Sequence, residues 1–489
     1  GVKPLEGGIP EVSMKNDLLL TNETAKILYQ SFAAGMPILD YHCHLEARDI
    51  AEDKRFRSIA ELWLGGDHYK WRFMRVCGVE ERFITGDAPE AEKFKKWAGV
   101  LERGLGNPLS CWSHMELKQY FGYDGVLNER TAGEVWELCN ARLSEPEMSA
   151  KGLIAGSGVK LLCTTDDPAD SLLWHQKLKA EFSDPKKRER FPVRVLPAWR
   201  PDQALAVQKP SFAAYMDSLG KAASMEIGNL SDLEQALEKR MLAFHELGCR
   251  VSDHGLERMV YTPVSRNKAE EILKKGLGGG AVSQEEAEAY QTYLLLFLGE
   301  QYHRLGWAMQ IHYGCSRNNN SRMYRLLGAD TGFDCIGEES PSARLIGFLD
   351  ALSGEKKLPK TILYSLNPKD NEQIDSVIGC FQDPEAGALL QHGAAWWFND
   401  HSAGIRSQLT SLASIGCLGN FVGMLTDSRS FISYPRHDYF RRILCGLVGQ
   451  WMESGEYPYD METAGRLVQD ISYRNAVRYF GFDQDSFRP

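Results

Sequence analysis

The stretch PILDYHCHL, residues 37–45, is a short apolar run that ends in polar residues, as expected of a buried strand whose C-terminal end carries chemistry. Seven further stretches follow the same rule: VKLLCTTDDP (159–168), VRVLPAWRPD (193–202), CRVSDHG (249–255), WAMQIHYG (307–314), KTILYSLN (360–367), GAAWWFND (393–400) and FVGMLTDSRS (421–430). Amphipathic segments closed by glycine run between many of them, so the chain reads as repeated β/α units. One such helix begins at Ser231, with Glu234 completing a capping box, and ends at Gly248. Another begins at Ser283 with Glu286 and ends at Gly306.

Eight strands of this kind predict a (β/α)8 TIM-like barrel, with a doubly wound open sheet as the alternative that pattern alone leaves standing. Polar residues at the strand ends favour the barrel: His42 and His44, Asp166 and Asp167, Arg200 and Asp202, Asp253 and His254, His312, Asn367, Asn399 and Asp400, Asp427 and Arg429. A closed barrel gathers all of these ends into one bowl. Over a hundred residues of helical character separate the first two strands, which is far more than one crossover needs. Residues 46–158 are therefore expected to be a helical insertion at the barrel mouth, with the barrel made of 37–45 and 159–489 and a helical lead-in over 1–36. A smaller insertion, from Arg266 to Gly280 and ending in GLGGG, reads as a loop or linker.

Composition narrows the function classes. Of 489 residues, 43% are hydrophobic and 25% charged, which excludes a disordered or fibrous chain. Lys and Arg number 56 against 66 Asp and Glu, a net charge of −10 without a basic block, so no nucleic-acid partner is expected. The eleven cysteines are scattered singletons, which predicts reduced thiols in a cytoplasmic protein. The most apolar short run, Tyr293 to Leu298, falls far short of the roughly 20 residues of a membrane-spanning helix, so no membrane association is expected.

His42 and His44 are the sharpest chemical signal, because residues i and i+2 of a strand share a face and two imidazoles there can grip one metal ion. The bland alternative is a strand that ends in one stacked and one solvated histidine. In a closed barrel the eighth strand neighbours the first, so Asp427 joins them and completes a His2Asp set with an open position. Arg429 shares the face of Asp427, and Arg200 ends the third strand. Two cations in one bowl suit an anionic substrate, against the alternatives that Arg429 neutralises Asp427 and Arg200 pairs with Asp202.

PILDYHCHL, DHYKWRFMR (67–75), LCTTDDP (162–168), PAWRPD (197–202), WAMQIHYGCSRNNNSRM (307–323) and LTDSRSF (425–431), in that order, resemble the uronate isomerases, also called glucuronate isomerases, of the amidohydrolase superfamily. The resemblance implies a distorted (β/α)8 barrel that interconverts D-glucuronate and D-fructuronate, and D-galacturonate and D-tagaturonate, through an enediol. It implies His42, His44 and Asp427 as metal ligands, and His68, Tyr69, Arg200 and Arg429 as residues that hold the sugar acid. It leaves open whether Asp427, Tyr69 or Arg429 moves the proton, and whether the chain forms a homo-oligomer. One divalent metal is expected, zinc by its donor set with manganese as a substitute, because the sixth strand ends in Ser365 and Asn367 without the histidine of two-metal hydrolases. A mononuclear metal-dependent hydrolase of an anionic lactone, ester or amide is the alternative function.

The remaining polar and aromatic residues each have a structural reading. Trp396 and Trp397 either floor the pocket or, as adjacent aromatics on a barrel strand more often do, make one core and one helix contact; Asn318, Asn319 and Asn320 either bind hydroxyls or form a plain loop; Cys43 is a packed residue facing away from the histidines. His114, His175, His245, His303, His392 and His437 are read as structural histidines.

Overall fold

The computed structural model describes residues 13–484 and 487, so the first twelve residues of the lead-in fall outside the description. Its strands are β1 (Ile38–Asp40), β2 (Val159–Cys163), β3 (Arg194–Leu196), β4 (Val251–Gly255), β5 (Ala308–Tyr313), β6 (Cys315–Ser316), β7 (Cys335–Ile336), β8 (Thr361–Ser365) and β9 (Leu390–His392). β1, β2 and β3 form one parallel sheet, and β4, β5, β8 and β9 another; β6 and β7 are a small antiparallel ladder beyond the end of β5. Trp199 joins the two sheets, because it bridges Asp166 on one side and Ser252 on the other in parallel fashion. The result is an α/β fold of parallel strands with many helices.

The first six expected strands are present but shorter than the stretches quoted; β1, β2 and β3 end before their histidines, aspartates and arginine, whereas β4 and β5 carry Asp253, His254 and His312 within them. The last two differ. Residues 393–400 are a loop and a one-turn helix (Trp397–Asn399) that follow β9, so the strand of this unit lies just before the motif. A side chain at Gly393 would sit 2.2 Å from the Tyr364 ring, so the chain passes β8 too closely there for anything but glycine. Residues 421–428 run alongside β1 without forming a regular strand: Asp427 N donates to His42 O at 3.1 Å and His44 N to Ser428 O at 2.9 Å. Gly423 (φ +82°) and Asp427 (φ +50°) are both left-handed, which breaks the alternating pleat that a strand requires. Between β9 and this segment the links run through a side chain, with Gln391 bonding Asn420 O and Val422 N.

Helices follow local signals with two corrections. The helix Leu230–Glu246 is capped by Asn229, whose side chain accepts from Asp232 N at 2.8 Å, rather than by Ser231. Asn229 lies upstream and already satisfies the orphan amide, which leaves Glu234 to pair with Arg266 at 2.7 Å. Arg266–Leu277 is itself a helix, not a loop: Ser265 caps it and Ala269, Ile272 and Leu273 form its buried face. The capping box of Ser283 and Glu286 is present. Seven α-helices lie between β1 and β2 among the described residues, and they share a core with β1–β3 and the C-terminal helices. All eleven cysteines are free, and no described helix is long and apolar enough to cross a membrane.

Candidate active site

The chain places His42 and His44 on the segment that leaves β1, held between Cys163 O, which accepts from Cys43 N at 3.2 Å, and the 426–428 segment. Cys43 points away, its thiol 3.2 Å from Cys163 O, so the two imidazoles share the opposite face. Asp427 arrives from the other side. His42 Nε2 and His44 Nε2 lie 3.1 and 2.8 Å from the same atom, Asp427 Oδ1. The left-handed backbone at Asp427 is held by Asp40, whose carboxylate accepts from Thr426 N at 2.9 Å and Thr426 Oγ1 at 2.6 Å.

Two residues of the centre lie beyond those expected. Asp253, at the end of β4, is fully buried between His42 Nδ1 (3.7 Å), Arg200 Nε (3.4 Å) and His312 Nδ1 (2.7 Å). His312, at the end of β5, stacks on the Tyr364 ring at 4.1 Å. Their signal in the sequence is the polar residue closing an apolar strand, VSDHG and IHYG. One donor set is His42, His44 and Asp427; a second, His42, Asp253 and His312, adjoins it through His42, and within each set the ligand atoms lie within 4.8 Å of one another. His42 Nδ1, Asp253 Oδ2 and His312 Nε2 are buried without a hydrogen-bond partner among the described residues. Imidazole nitrogens and carboxylate oxygens that converge with unspent lone pairs fit a divalent cation.

Electrostatics follow the same logic. Burial would raise the Asp427 carboxyl, but hydrogen bonds from His42 and His44 outweigh it and hold it well below the usual range. Burial opposes ionisation of Asp253 as well, and Arg200, His42 and His312 overcome it. Burial pushes His44 down to about 4 and lowers His68, so both rings favour the neutral form. Arg200 is cationic: burial disfavours the charge, and Asp253 and Asp202 more than restore it.

The cavity above these groups has a volume of about 570 Å3 and reaches from His42, His44 and Asp427 to Arg200, Arg429, His68 and Tyr69. His68 and Tyr69 open the helix His68–Val76 of the 46–158 region, whose first turn is capped by Asp67. The Tyr69 hydroxyl lies 3.4 Å from Asp427 Oδ2, the oxygen that the histidines leave free. Arg429 is exposed to the cavity and holds no ion pair or hydrogen bond among the described residues. Arg200, by contrast, bonds Asp202 Oδ2 at 2.9 Å, which is the pairing weighed from sequence, and faces Asp253 as well.

Both tryptophans of GAAWWFND line this cavity, which is the pocket role rather than the core and helix contacts weighed against it. Trp396 meets His312 edge-on at 4.7 Å, and Trp397 stacks parallel to Tyr69 at 6.1 Å with its backbone left-handed. Leaving the strand early frees both rings to turn toward the mouth. Asn318 also lines the cavity, while Asn320 caps the next helix. The other histidines are occupied elsewhere: His114 by Ser110 O and Leu127 N, His392 by Asp375, His245 by Trp307, His303 by Ala386 O, His175 by Thr164, and His437 beside Asp40.

A family profile described as glucuronate isomerase matches residues 11–480. The uronate isomerases of Endomicrobium trichonymphae and Lachnospira eligens are each 53% identical, over 469 and 470 residues, which is 96% of this chain and 99% of theirs. Among solved structures, the uronate isomerase of Thermotoga maritima superposes with a TM-score of 0.88 at 35% identity, over 96% of this chain and 99% of that one. The glucuronate isomerase of Caulobacter crescentus gives a TM-score of 0.88 at 23% identity, covering 98% and 99%, a likeness of fold.

Proposed function

The chain belongs to the glucuronate isomerase family, and on that premise we propose how its residues carry the reaction. It is an aldose–ketose isomerase of uronates; the matched relatives favour no hydrolytic activity. The substrates proposed are D-glucuronate and D-galacturonate, with D-fructuronate and D-tagaturonate as their ketoses.

In this reading the two sheets, linked at Trp199, and the 421–428 segment alongside β1 are parts of one distorted (β/α)8 barrel, and residues 46–158 are an insertion that folds over its mouth. The observation that carries the mechanism is the convergence of His42, His44 and Asp427 on one point, under Tyr69 and beside Arg429, which has no ion pair among the described residues. His42, His44 and Asp427 hold one divalent ion, zinc by the donor set, with manganese able to substitute. When bound, that ion supplies Lewis-acid stabilisation of negative charge developing on the substrate oxygens.

Arg429 binds the sugar carboxylate as a paired fork of N–H donors, and Arg200, already oriented by Asp202 and Asp253, adds a second fixed cation. Asp427 Oδ2 takes the proton from C2, the electron pair of that C–H bond forms the C1–C2 double bond, and the C1–O1 π pair moves onto O1, which takes the hydroxyl proton of O2. The O2 lone pair then forms the carbonyl at C2, and the C1–C2 π pair takes back the proton held by Asp427 to make the new C1–H bond. Atoms and electrons balance without a co-reactant. The Tyr69 hydroxyl, 3.4 Å from Oδ2, hydrogen-bonds this carboxylate and positions it between the two carbons. His68, Trp396 and Trp397 wall the cavity and exclude water from the enediol.

The direct test is incubation of zinc-loaded and manganese-loaded protein with each uronate, followed by a colorimetric ketose assay. Ketose formation that disappears in Asp427→Asn is expected. Full ketose formation by that variant rules out the proposed base.

A further inference from the structure

Beside Tyr69, along an adjoining cavity that Asp67 and Arg436 share with Tyr69 and Asp427, lies a largely buried group of charges that the mechanism above does not use. Asp67 caps the Tyr69 helix and binds Lys70 Nζ at 2.7 Å, with Lys70 itself only 2% exposed. Glu116 is buried beside them, and Asp400 is buried near Asp427 with one oxygen lacking a hydrogen-bond partner among the described residues. Arg436, 4% exposed, is the cation that faces all of them: it pulls on Asp67, Glu116 and Asp400, and it sits against Tyr69.

The contacts of Arg436 reach both halves of the Tyr69 and Asp427 pair. Its guanidinium lies 4.2 Å from the centre of the Trp112 ring and 5.9 Å from that of Tyr69. Its Nη1 donates to Thr426 O at 3.2 Å, the carbonyl just before the left-handed residue Asp427. Its Nε is buried without a hydrogen-bond partner among the described residues. A planar cation wedged between one aromatic ring and the backbone of the facing segment sets the distance between them, which a flexible ammonium of the same charge does less well.

We infer that Arg436 is a positioning residue, a strut between the insertion and the 421–428 segment that keeps the Tyr69 hydroxyl in register with Asp427. It does not line the 570 Å3 cavity but an adjoining one of about 410 Å3, which it shares with Tyr69, Asp427 and Arg429. The inference rests on the proposed part of Tyr69 in the reaction.

The test is a double-mutant cycle on glucuronate isomerisation with Tyr69→Phe, Arg436→Met and both together, with bound metal and melting temperature measured on each. Expected are a kcat lowered about tenfold by Arg436→Met with KM changed less than twofold, metal content retained, and a double variant no slower than the slower single. That non-additivity is the signature of action through Tyr69, and a purely structural loss does not produce it. Multiplied effects in the double variant, or a normal kcat in Arg436→Met, overturn the inference while Tyr69 keeps its part. If Tyr69→Phe is itself fully active, the reading of Tyr69 fails and the inference falls with it. Should Arg436→Met fail to fold, Arg436→Lys keeps charge and stem and loses the planar fork, and the same cycle is run with it. A wild-type kcat in that variant overturns the strut.

Discussion

Glu116 offers a pH test of the charge cluster beside the candidate site. It is 3% exposed on the helix Pro108–Phe121, and burial raises its carboxyl from an ordinary 4.5 to about 7. Lys70 and Arg436 pull it down and Asp67 pushes it up, but Lys70 is already bound to Asp67, so desolvation wins. The folded protein therefore binds this proton more tightly than the unfolded chain does. Stability from this group is full below about pH 4.5 and is lost as pH rises through about 7, a change of about 3 kcal/mol across the window. Glu116→Gln cannot ionise, so its stability relative to the wild type should climb over the same window, from near zero at pH 4.5 to a gain of up to about 3 kcal/mol at pH 8. Urea denaturation midpoints of both proteins at the two pH values measure it. The difference between proteins is the informative quantity, because Asp166 and Asp400 are also raised to about 7 by burial and bend the wild-type curve. An offset between the two proteins that is the same at both pH values would refute the assignment.

The two arginines should behave differently. Arg429→Ala removes a cation with no ion-pair or hydrogen-bond partner among the described residues, so kcat/KM on glucuronate should fall by about tenfold to a hundredfold with melting unchanged, the loss of a charge-assisted contact of about 1.5 to 3 kcal/mol; normal kinetics exclude it from carboxylate binding. Arg200→Ala leaves Asp253 buried with less compensation, so it should also lower stability, by about 3 to 5 kcal/mol, which thermal or urea unfolding reads. Tyr69→Phe should depress kcat at least several-fold while fold and metal content stay intact, and an unchanged rate removes the phenol from the mechanism. Chelation should abolish isomerisation and added zinc or manganese restore it, while His44→Asn lowers bound metal by elemental analysis; activity that survives with no metal bound contradicts the His2Asp site.

The parallel β/α character, the capping box at Ser283 and the facing of His42 and His44 were legible in the chain because each depends on neighbours within a few residues. Periodicity, caps and i, i+2 spacing are local physics. Asp427 was legible as a partner only on the assumption that last and first strands adjoin, since it meets His42 across 385 residues. His68 and Tyr69 came from resemblance alone. The tertiary structure decided what spacing does not encode. Two left-handed residues, Trp397 and Asp427, break or shorten strands that pattern extends, and they turn a tryptophan and a carboxylate into the cavity. Asp253 and His312 sit beside His42 because β4 and β5 pair in register at that depth, and Arg436 reaches Tyr69 and Thr426 because the helix Pro435–Ser454 packs against the helices between β1 and β2. Local sequence chooses the elements; which buried charges meet is set by packing among segments hundreds of residues apart, where each group's partner, and so its charge state, is fixed by the fold.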